Sequence, residues 1–558
     1  MRSGPKSVSC LQALNPLKYP LNMRNTFCSV LRRLNSPAQL TLLGVLSLAS
    51  LLQPAALLAK GQAEHVILLV WDGMRPDFIN PQYTPNLYWL ATNGVFFKNH
   101  HPVYISTTEV NGTAIATGDY PVHNGIIANT DYRPEIGWLG PNATEGLENI
   151  RRGDLLTGGN YLTAPTVAEI LQRSGIPTIV SGTKPVTLLH DRANWRREGA
   201  ASNSVVLYKG LTIPRSAQLG TIKVNDDKVF PTNVVHPNTA ADGWTTKALT
   251  KSLWSKGVPK YTLLWLSEPD ASQHDSGPGS EESIQGIESS DKHLGEVLKT
   301  LEEKKLLNKS DVMVVSDHGF STIMSAPNIV EYLRKNKFKA YKKFEDPEPG
   351  DILVVALGGS VCFYVTEHDE KTIKKLVQFL QQSDFAGVLF TRTSMEGTFG
   401  MDQVRMNTTN AMPDVVMSMR WSPEPNSNGT PGMIMSDGGT RGKGTHGSLS
   451  RFDMHNTFVA AGVDFKTGYI DELPSGNADV APTILHILGV NMPSGTRMDG
   501  RVLHEALETE ESSPGKPETK TVEATRDVGL FRWHQYLKYT TFDGAIYFDE
   551  GNGEIKVR

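Results

Sequence analysis

Three apolar runs in this chain each stop at a residue type that can hold a divalent metal. Val66 to Trp71 (VILLVW) runs into Asp72, Thr262 to Leu266 (TLLWL) runs into Glu268-Pro269-Asp270, and Val312 to Val315 runs into Ser316-Asp317-His318-Gly319. A short continuous apolar run is the pattern of a strand buried on both faces of a parallel sheet. In open α/β sheets the ligand lies beyond the carboxyl ends of the strands, so the three terminal carboxylates are expected to converge there. His274 follows Asp270 by four residues, close enough to reach a common point if the chain makes one turn, and a Gly-rich segment (GKGTHGS) delivers His446. Carboxylates and imidazoles meeting at strand ends suit a divalent ion of the zinc type. A lone Asp or His at a strand end commonly caps a helix or faces solvent; the threefold repetition sets these apart.

Between the runs the chain reads as βα units. From Val66 to about Val180 apolar strands alternate with helical spacing, including Thr84 to Ala91, where Thr and Pro suit a helix start, and Thr166 to Arg173. Ser283 to Leu306 is an amphipathic helix leading into the Asp317-His318 strand. The fold class expected is α/β, with a mostly parallel central sheet flanked by helices. From Asn328 to about Arg405 the pattern changes to short strands and one helix, a smaller α+β subdomain, and Pro413 to Met419 (PDVVMSM) is read as a return to the main sheet. Asn194 to Asn238 is polar and less periodic, an excursion beside the site. Leu189-His190-Asp191-Arg192 within reach of it is read as structural. Asp479 to Leu488 reads as a packed helix that includes His486. Glu508 to Thr521 is a charged linker and Phe531 to Arg558 a hairpin tail turning at Asp543-Gly544. The division that follows is an N-terminal extension at 1–63, a catalytic body at 64–507 with its insert at about 328–405, and a linker and tail at 508–558.

The amino end differs from all that follows. Arg24, Arg32 and Arg33 precede Leu40 to Ala59, an apolar stretch that reads as a secretory signal with Gly61-Gln62-Ala63 as the cleavage region, and Met23 is an alternative start. The stretch is near membrane-spanning length, so an uncleaved anchor is the competing reading; both place the body outside the cytoplasm. With the signal gone Cys362 is the one cysteine left, in the apolar run VCFYV, and is expected to be a buried inert thiol. A formal net charge of −4 over 558 residues argues against a broad nucleic-acid-binding surface.

Thr107 and Thr108 directly precede a helix-forming stretch within YISTTEVNGTAIATG. A Thr at a helix start can simply be an N-cap. The same geometry can hold a hydroxyl against an anion, since free N–H groups and the positive end of the dipole gather there. Local residues leave both readings open.

The segment TTEVNGTAIATGDYPVHNGIIANTDY resembles the nucleophile region of the nucleotide pyrophosphatase/phosphodiesterase family of the alkaline phosphatase superfamily, whose usual form is TKTFPNHYxxxTGxYPExHGIxxN. EPDASQHDSGPGS is similar to that family's EPDxxGHxxGP, SDHGF to its SDHGM, and GTHGS to its G-x-HG segment, so the resemblance spans about Val66 to Leu507. It implies an alkaline phosphatase-like fold and hydrolysis of phosphodiester or pyrophosphate bonds in a small-molecule phosphate ester or anhydride. It also implies a phospho-threonine intermediate on Thr108, a non-bridging oxygen held by Asn129, and two divalent ions, zinc by ligand type. One ion falls to Asp270, His274 and His446, and the other to Asp72, Asp317 and His318, with Thr108 as a further ligand. A phosphomonoesterase or phosphonate hydrolase would need a third, basic group for the dianion, and no Lys or Arg is adjacent to Thr108 in sequence. A binding protein that retains the fold is the third reading. Glu109 departs from the family pattern by standing at its Phe position, either as a partner for the helix dipole or as a charge that disfavours polyanionic substrates.

Overall fold

The computed structural model describes residues 61–558 apart from 193–200, 234, 409–410, 494–495 and 511–514. The basic and apolar residues of the expected signal therefore lie outside the described residues. Gly61-Gln62-Ala63 is built into the body: Gly61 N–H donates to Ile487 O at 3.0 Å, Gln62 and Ala63 N–H both donate to the Asp464 carboxylate, and Ala63 is buried.

The main sheet has nine strands. From edge to edge they are Tyr469–Gly476, Val95–His101, Phe458–Gly462, Ser310–Val315, His65–Trp71, Tyr261–Leu266, Thr178–Gly182, Val205–Tyr208 and Leu211–Ile213. The three central strands, which carry the apolar runs, pair in parallel, with Trp71 level with Leu266 and Val70 level with Val315. That register puts Asp72, Asp270 and Asp317 beyond the same edge, as strand-end logic requires. The sheet is buried on both faces because consecutive residues point to opposite sides. Leu68, Val70, Leu263, Trp265, Met313 and Val315 pack with Val480, Ala481 and Ile484 of the helix Asn477–Ile487. Ile67, Leu69, Leu264, Leu266, Val312 and Val314 pack with Ile287, Leu294, Val297 and Leu301 of the helix Glu281–Glu303. Each such side chain contributes about 1.5–3 kcal/mol by leaving water, which anchors the strand ends that hold the polar site.

Three elements differ from the expectation. Val415–Met419 does not return to the main sheet; it lies at the centre of a six-stranded sheet in the insert, antiparallel to both Ser360–Val365 and Ala386–Thr391. A five-residue apolar run fits any doubly covered position, and its composition does not say which sheet covers it. The polar excursion supplies the last two strands of the main sheet, where an edge position tolerates exposed side chains such as Leu211. The linker ends early: Glu518–Val528 is the first strand of a three-stranded sheet whose other two, Phe531–Phe542 and Ala545–Val557, form the expected hairpin. Asp543 (φ 48°) and Gly544 (φ 84°) at its turn have the paired positive φ of a two-residue hairpin loop. The polar alternation of Glu518–Val528 looks like a linker because one face is left to solvent.

The edge strand Tyr469–Gly476 carries a pH-sensitive carboxyl. Asp471 is fully buried; its Oδ1 accepts from Leu473 N–H at 3.0 Å, while Oδ2 has no hydrogen-bond partner. Burial first, and then the charge of Glu505, push its pKa up to about 7. An unfolded chain loses this proton near pH 4 whereas the folded chain keeps it to about 7, so stability falls as pH rises through that window. Asp471→Asn should flatten the slope and stabilise the protein at pH 8 by on the order of 1–2 kcal/mol, read as a rise in Tm at pH 8 that is absent at pH 4. A variant less stable than the parent at both pH values would overturn this account.

Candidate metal centre

The strand Tyr261–Leu266 ends three residues before Pro269, and Asp270 opens the short helix Asp270–Ser276, so Asp270 and His274 stand one turn apart on the same side. His274 Nε2 is 3.2 Å from Asp270 Oδ1, and His446 Nε2 is 3.6 Å from the same oxygen. On the other side His318 Nε2 lies 3.2 Å from Asp317 Oδ2 and 3.6 Å from Asp72 Oδ1. The two groups touch, because the His318 and His446 rings stack with centroids 3.6 Å apart and planes 12° from parallel. His318 is therefore close to both carboxylate groups, and His446 stands nearer to it than a division into two separate triads suggests. His274 is the most open of the six, with its side chain 42% exposed.

Hydrogen bonds from backbone and side chains orient these groups. All three imidazoles turn Nδ1 to a carbonyl: His318 to Gly319 O at 2.9 Å, His446 to Ser106 O at 2.9 Å and His274 to Gly444 O at 3.1 Å. A carbonyl only accepts, so Nδ1 carries a proton and Nε2 is the nitrogen turned to the carboxylates. Each carboxylate likewise commits one oxygen. Asp317 Oδ1 accepts from Gly73 and His318 N–H, Asp72 Oδ2 from Trp265 Nε1 at 2.8 Å, and Asp270 Oδ2 from Lys184 Nζ at 2.5 Å. The remaining oxygens, Asp72 Oδ1, Asp270 Oδ1 and Asp317 Oδ2, are buried with no hydrogen-bond partner. Three orphaned carboxylate oxygens facing three imidazole Nε2 atoms make a donor set that fits divalent cations, since buried carboxylates persist only when paired, protonated or coordinated. The cluster is divided in charge: against burial, Lys184 and then His274 hold Asp270 well below the carboxylate range, whereas other members resist ionisation. Burial and then Asp317 push Asp72 well above the carboxylate range, burial takes Asp317 to about 7, and burial followed by the neighbouring His318 holds His446 well below its ordinary value.

Thr108 is the first residue of the helix Thr108–Thr117 and is buried. Its Oγ1 is 3.3 Å from His318 Nε2, so the hydroxyl faces the clasp. Thr107, at the N-cap, makes no side-chain capping bond, and its Oγ1 is buried without a partner; the capping reading of this Thr pair does not hold. Asn129 Oδ1 accepts Glu109 N–H at 3.0 Å, which places Asn129 at the same helix start. The turn is braced from behind. Asn111 Nδ2 donates to Val103, Ile105 and Thr107 carbonyls, and Asn477 Nδ2 donates to Asn111 Oδ1 and to Asp317 O. Two buried amides thus tie the Thr108 turn to the Asp317 strand end.

Two residues at the site are absent from the sequence reading. Lys184 comes from the loop after the strand Thr178–Gly182; its Nζ is 2.9 Å from Asp72 Oδ2 as well as 2.5 Å from Asp270 Oδ2. Burial opposes its charge, but Asp270, Asp72 and Asp317 outweigh that and raise its pKa well above the usual ammonium range. The signal was present, because SGTKP follows a fourth apolar run and obeys the strand-end rule that flagged the aspartates. The second is Glu145, whose carboxyl meets that of Glu109. Glu109 is buried rather than displayed on the first turn, and burial, followed by Glu145, pushes it well above the carboxylate range. By contrast, the His190 cluster is structural, as expected: His190 is buried against Trp265, and Arg192 pairs with Asp154 and Glu169.

A mostly parallel sheet flanked by helices, with its polar clasp beyond the central strand ends, is an alkaline phosphatase-like architecture. Human ectonucleotide pyrophosphatase/phosphodiesterase 5 shares it with a TM-score of 0.56 at 16% identity, over 80% of this chain and 100% of that one. An inactive murine form of the same protein in complex with AMP gives a TM-score of 0.55 over the same shares. Residues 66–448 match the family described as Type I phosphodiesterase / nucleotide pyrophosphatase, and the chain belongs to that family. Among curated relatives, ectonucleotide pyrophosphatase/phosphodiesterase family member 5 of Homo sapiens is 23% identical over 76% of this chain and 75% of its own length. Family member 7 of Homo sapiens is 23% identical over 51% and 55%, and venom phosphodiesterase of Macrovipera lebetinus 26% identical over 51% and 29%. The chain thus spans about half or less of the length of these last two.

Proposed function

We propose that this chain is a metal-dependent phosphoric ester hydrolase that cleaves phosphodiester or pyrophosphate bonds, with Thr108 as nucleophile. The observation that carries the reading is the Thr108 hydroxyl, 3.3 Å from His318 Nε2, beside three buried carboxylate oxygens that have no partner. Asp72, Asp317 and His318 would hold one ion next to Thr108, and Asp270, His274 and His446 the other; zinc suits three imidazoles and three carboxylates. Such a pair neutralises charge on the attacking and leaving oxygens and lowers the pKa of a hydroxyl. The chain does the rest. The helix Thr108–Thr117 aims its free N–H groups and positive end at the phosphoryl group. Asn129, with Oδ1 taken by Glu109 N–H, keeps its amide N–H for a non-bridging oxygen. Thr108 Oγ attacks phosphorus to give a phospho-threonine ester, which water then hydrolyses. Asn111 and Asn477 hold the turn against the Asp317 strand while charge moves through it.

The AMP seen with the murine relative supports a nucleotide-bearing small molecule as one substrate class. The names of the relatives, together with Leu40 to Ala59, support export; among the described residues no helix is long and apolar enough to cross a membrane. The test is hydrolysis of bis(p-nitrophenyl) phosphate by the exported protein with and without chelator. Activity that a chelator abolishes and zinc restores supports the reading, and chelator-resistant turnover removes the ions from it.

The carboxyl pair beside the nucleophile bears on substrate choice. Two facing carboxyls one residue from Thr108 disfavour a substrate with further phosphates on that side. Because the Glu109 carboxyl is pushed well above its ordinary range, Glu109→Gln should raise kcat/KM for a nucleoside triphosphate more than for a diester with a neutral leaving group only at alkaline pH, where Glu109 ionises. Equal effects on both substrates would reduce Glu109 to a packing role.

A further inference from the structure

A phosphate diester presents two non-bridging oxygens and one negative charge, whereas a monoester or phosphonate presents three oxygens and two charges. No Lys or Arg adjoins Thr108 in sequence to receive the extra oxygen. The fold brings one from 76 positions away. Lys184 Nζ reaches both Asp270 Oδ2 (2.5 Å) and Asp72 Oδ2 (2.9 Å), and Asp72 Oδ1 lies 3.6 Å from the His318 nitrogen that faces Thr108. The loop that carries it is fixed. Thr183 N–H donates to Trp265 O at 3.0 Å, and Thr187 Oγ1 donates to Lys184 O at 3.0 Å. An ammonium has three donors, two of which the aspartates engage, so one N–H is left for another acceptor. The side chain is 23% exposed, so a ligand can reach it from solvent.

We infer that Lys184 binds the third non-bridging oxygen of a phosphoryl dianion, so that the site binds a terminal PO3 group and takes phosphate monoesters as substrates alongside diesters. For turnover this rests on the hydrolase reading above; for binding it does not. In the monoester reaction the Thr108 Oγ–P bond forms as the P–O bond to the alcohol breaks. The bonding pair leaves on the alcohol oxygen, which takes the proton given up by Thr108. Water then cleaves the Thr108 ester, restoring the hydroxyl and releasing hydrogen phosphate. Lys184 holds the same oxygen throughout and exchanges no proton.

The test is calorimetric binding of inorganic phosphate and of dimethyl phosphate, at a pH where the former is a dianion, to zinc-loaded protein carrying Thr108→Ala. Phosphate should bind, and adding Lys184→Gln should weaken it about 10–100-fold, the scale of a lost charged hydrogen bond, with a several-fold smaller effect on dimethyl phosphate. The Gln amide keeps a donor for the aspartates without the charge, and Lys184→Arg, which keeps the charge, should retain phosphate to within a few-fold. No phosphate binding, phosphate binding indifferent to Lys184, or equal weakening of both anions would overturn the inference. In otherwise native protein, kcat/KM for p-nitrophenyl phosphate should fall at least 10-fold more than that for bis(p-nitrophenyl) phosphate on Lys184→Gln. Phenylphosphonate, a dianion whose P–C bond offers no stable leaving group, should bind without turnover as a competitive inhibitor that Lys184→Gln weakens. Protein that binds phosphate through Lys184 yet hydrolyses neither ester would leave this inference standing and remove the hydrolase reading instead.

Discussion

Replacing Thr108 by alanine should lower turnover of bis(p-nitrophenyl) phosphate by on the order of 10⁴–10⁶-fold, the scale on which loss of a catalytic nucleophile is felt. The variant should keep its fold and both ions. Among the described residues its hydroxyl makes one hydrogen bond, with His318 at 3.3 Å, and the Asp270–Ser276 and Asp317 elements are held by other bonds. Elemental analysis, circular dichroism and a stopped assay on one preparation check all three. The companion measurement is trapping of radiolabelled phosphate on Thr108 in acid-quenched native protein, which should vanish in the variant. A rate within 10-fold of the parent would exclude Thr108 and make Thr107, whose hydroxyl is buried without a partner, the next residue to test.

Removing His446 should cost both an ion and the rate. Its Nε2 faces Asp270 Oδ1, its ring stacks on His318, and Ser106 O fixes its proton on Nδ1. His446→Ala leaves the Asp270 side with two ligands and unstacks the imidazole nearest to Thr108. Metal content should drop from two ions per chain towards one, and kcat/KM should fall by more than the roughly 10–100-fold typical of losing an outer partner to a ligand. Two ions retained with full activity would detach the Gly-rich loop from the site.

Much of this was legible in the sequence because strand-end chemistry is local. VILLVW, TLLWL and the Val312 run announce doubly buried strands, and a carboxylate at the end of each has one place to go in a parallel sheet. His446 was legible for a different reason, since its Gly-rich setting resembles a motif whose place is known. What stayed hidden depends on contacts between distant segments. Nothing around Glu145 says that its carboxyl meets Glu109, and the helix-start position of Glu109 suggests exposure where there is burial. Lys184 carried a usable signal, but a Lys after a strand is common enough that its approach to Asp72 and Asp270 shows only in the fold. Val415–Met419 shows the converse limit, in that a run this apolar announces a strand without naming its neighbours.

The three histidines owe their proton positions to carbonyls of Gly319, Ser106 and Gly444, and Asp317 owes its orientation largely to main-chain N–H groups. The backbone itself is held by close packing, since a side chain at Gly319 or Gly444 would collide with the Phe452 or Gln273 carbonyl. Glu109, Glu145 and Lys184 act through side chains alone and are free to change one codon at a time. On the proposed reading the orientation of the clasp is thus set largely by the backbone, while the charge offered to substrate rests on three side chains.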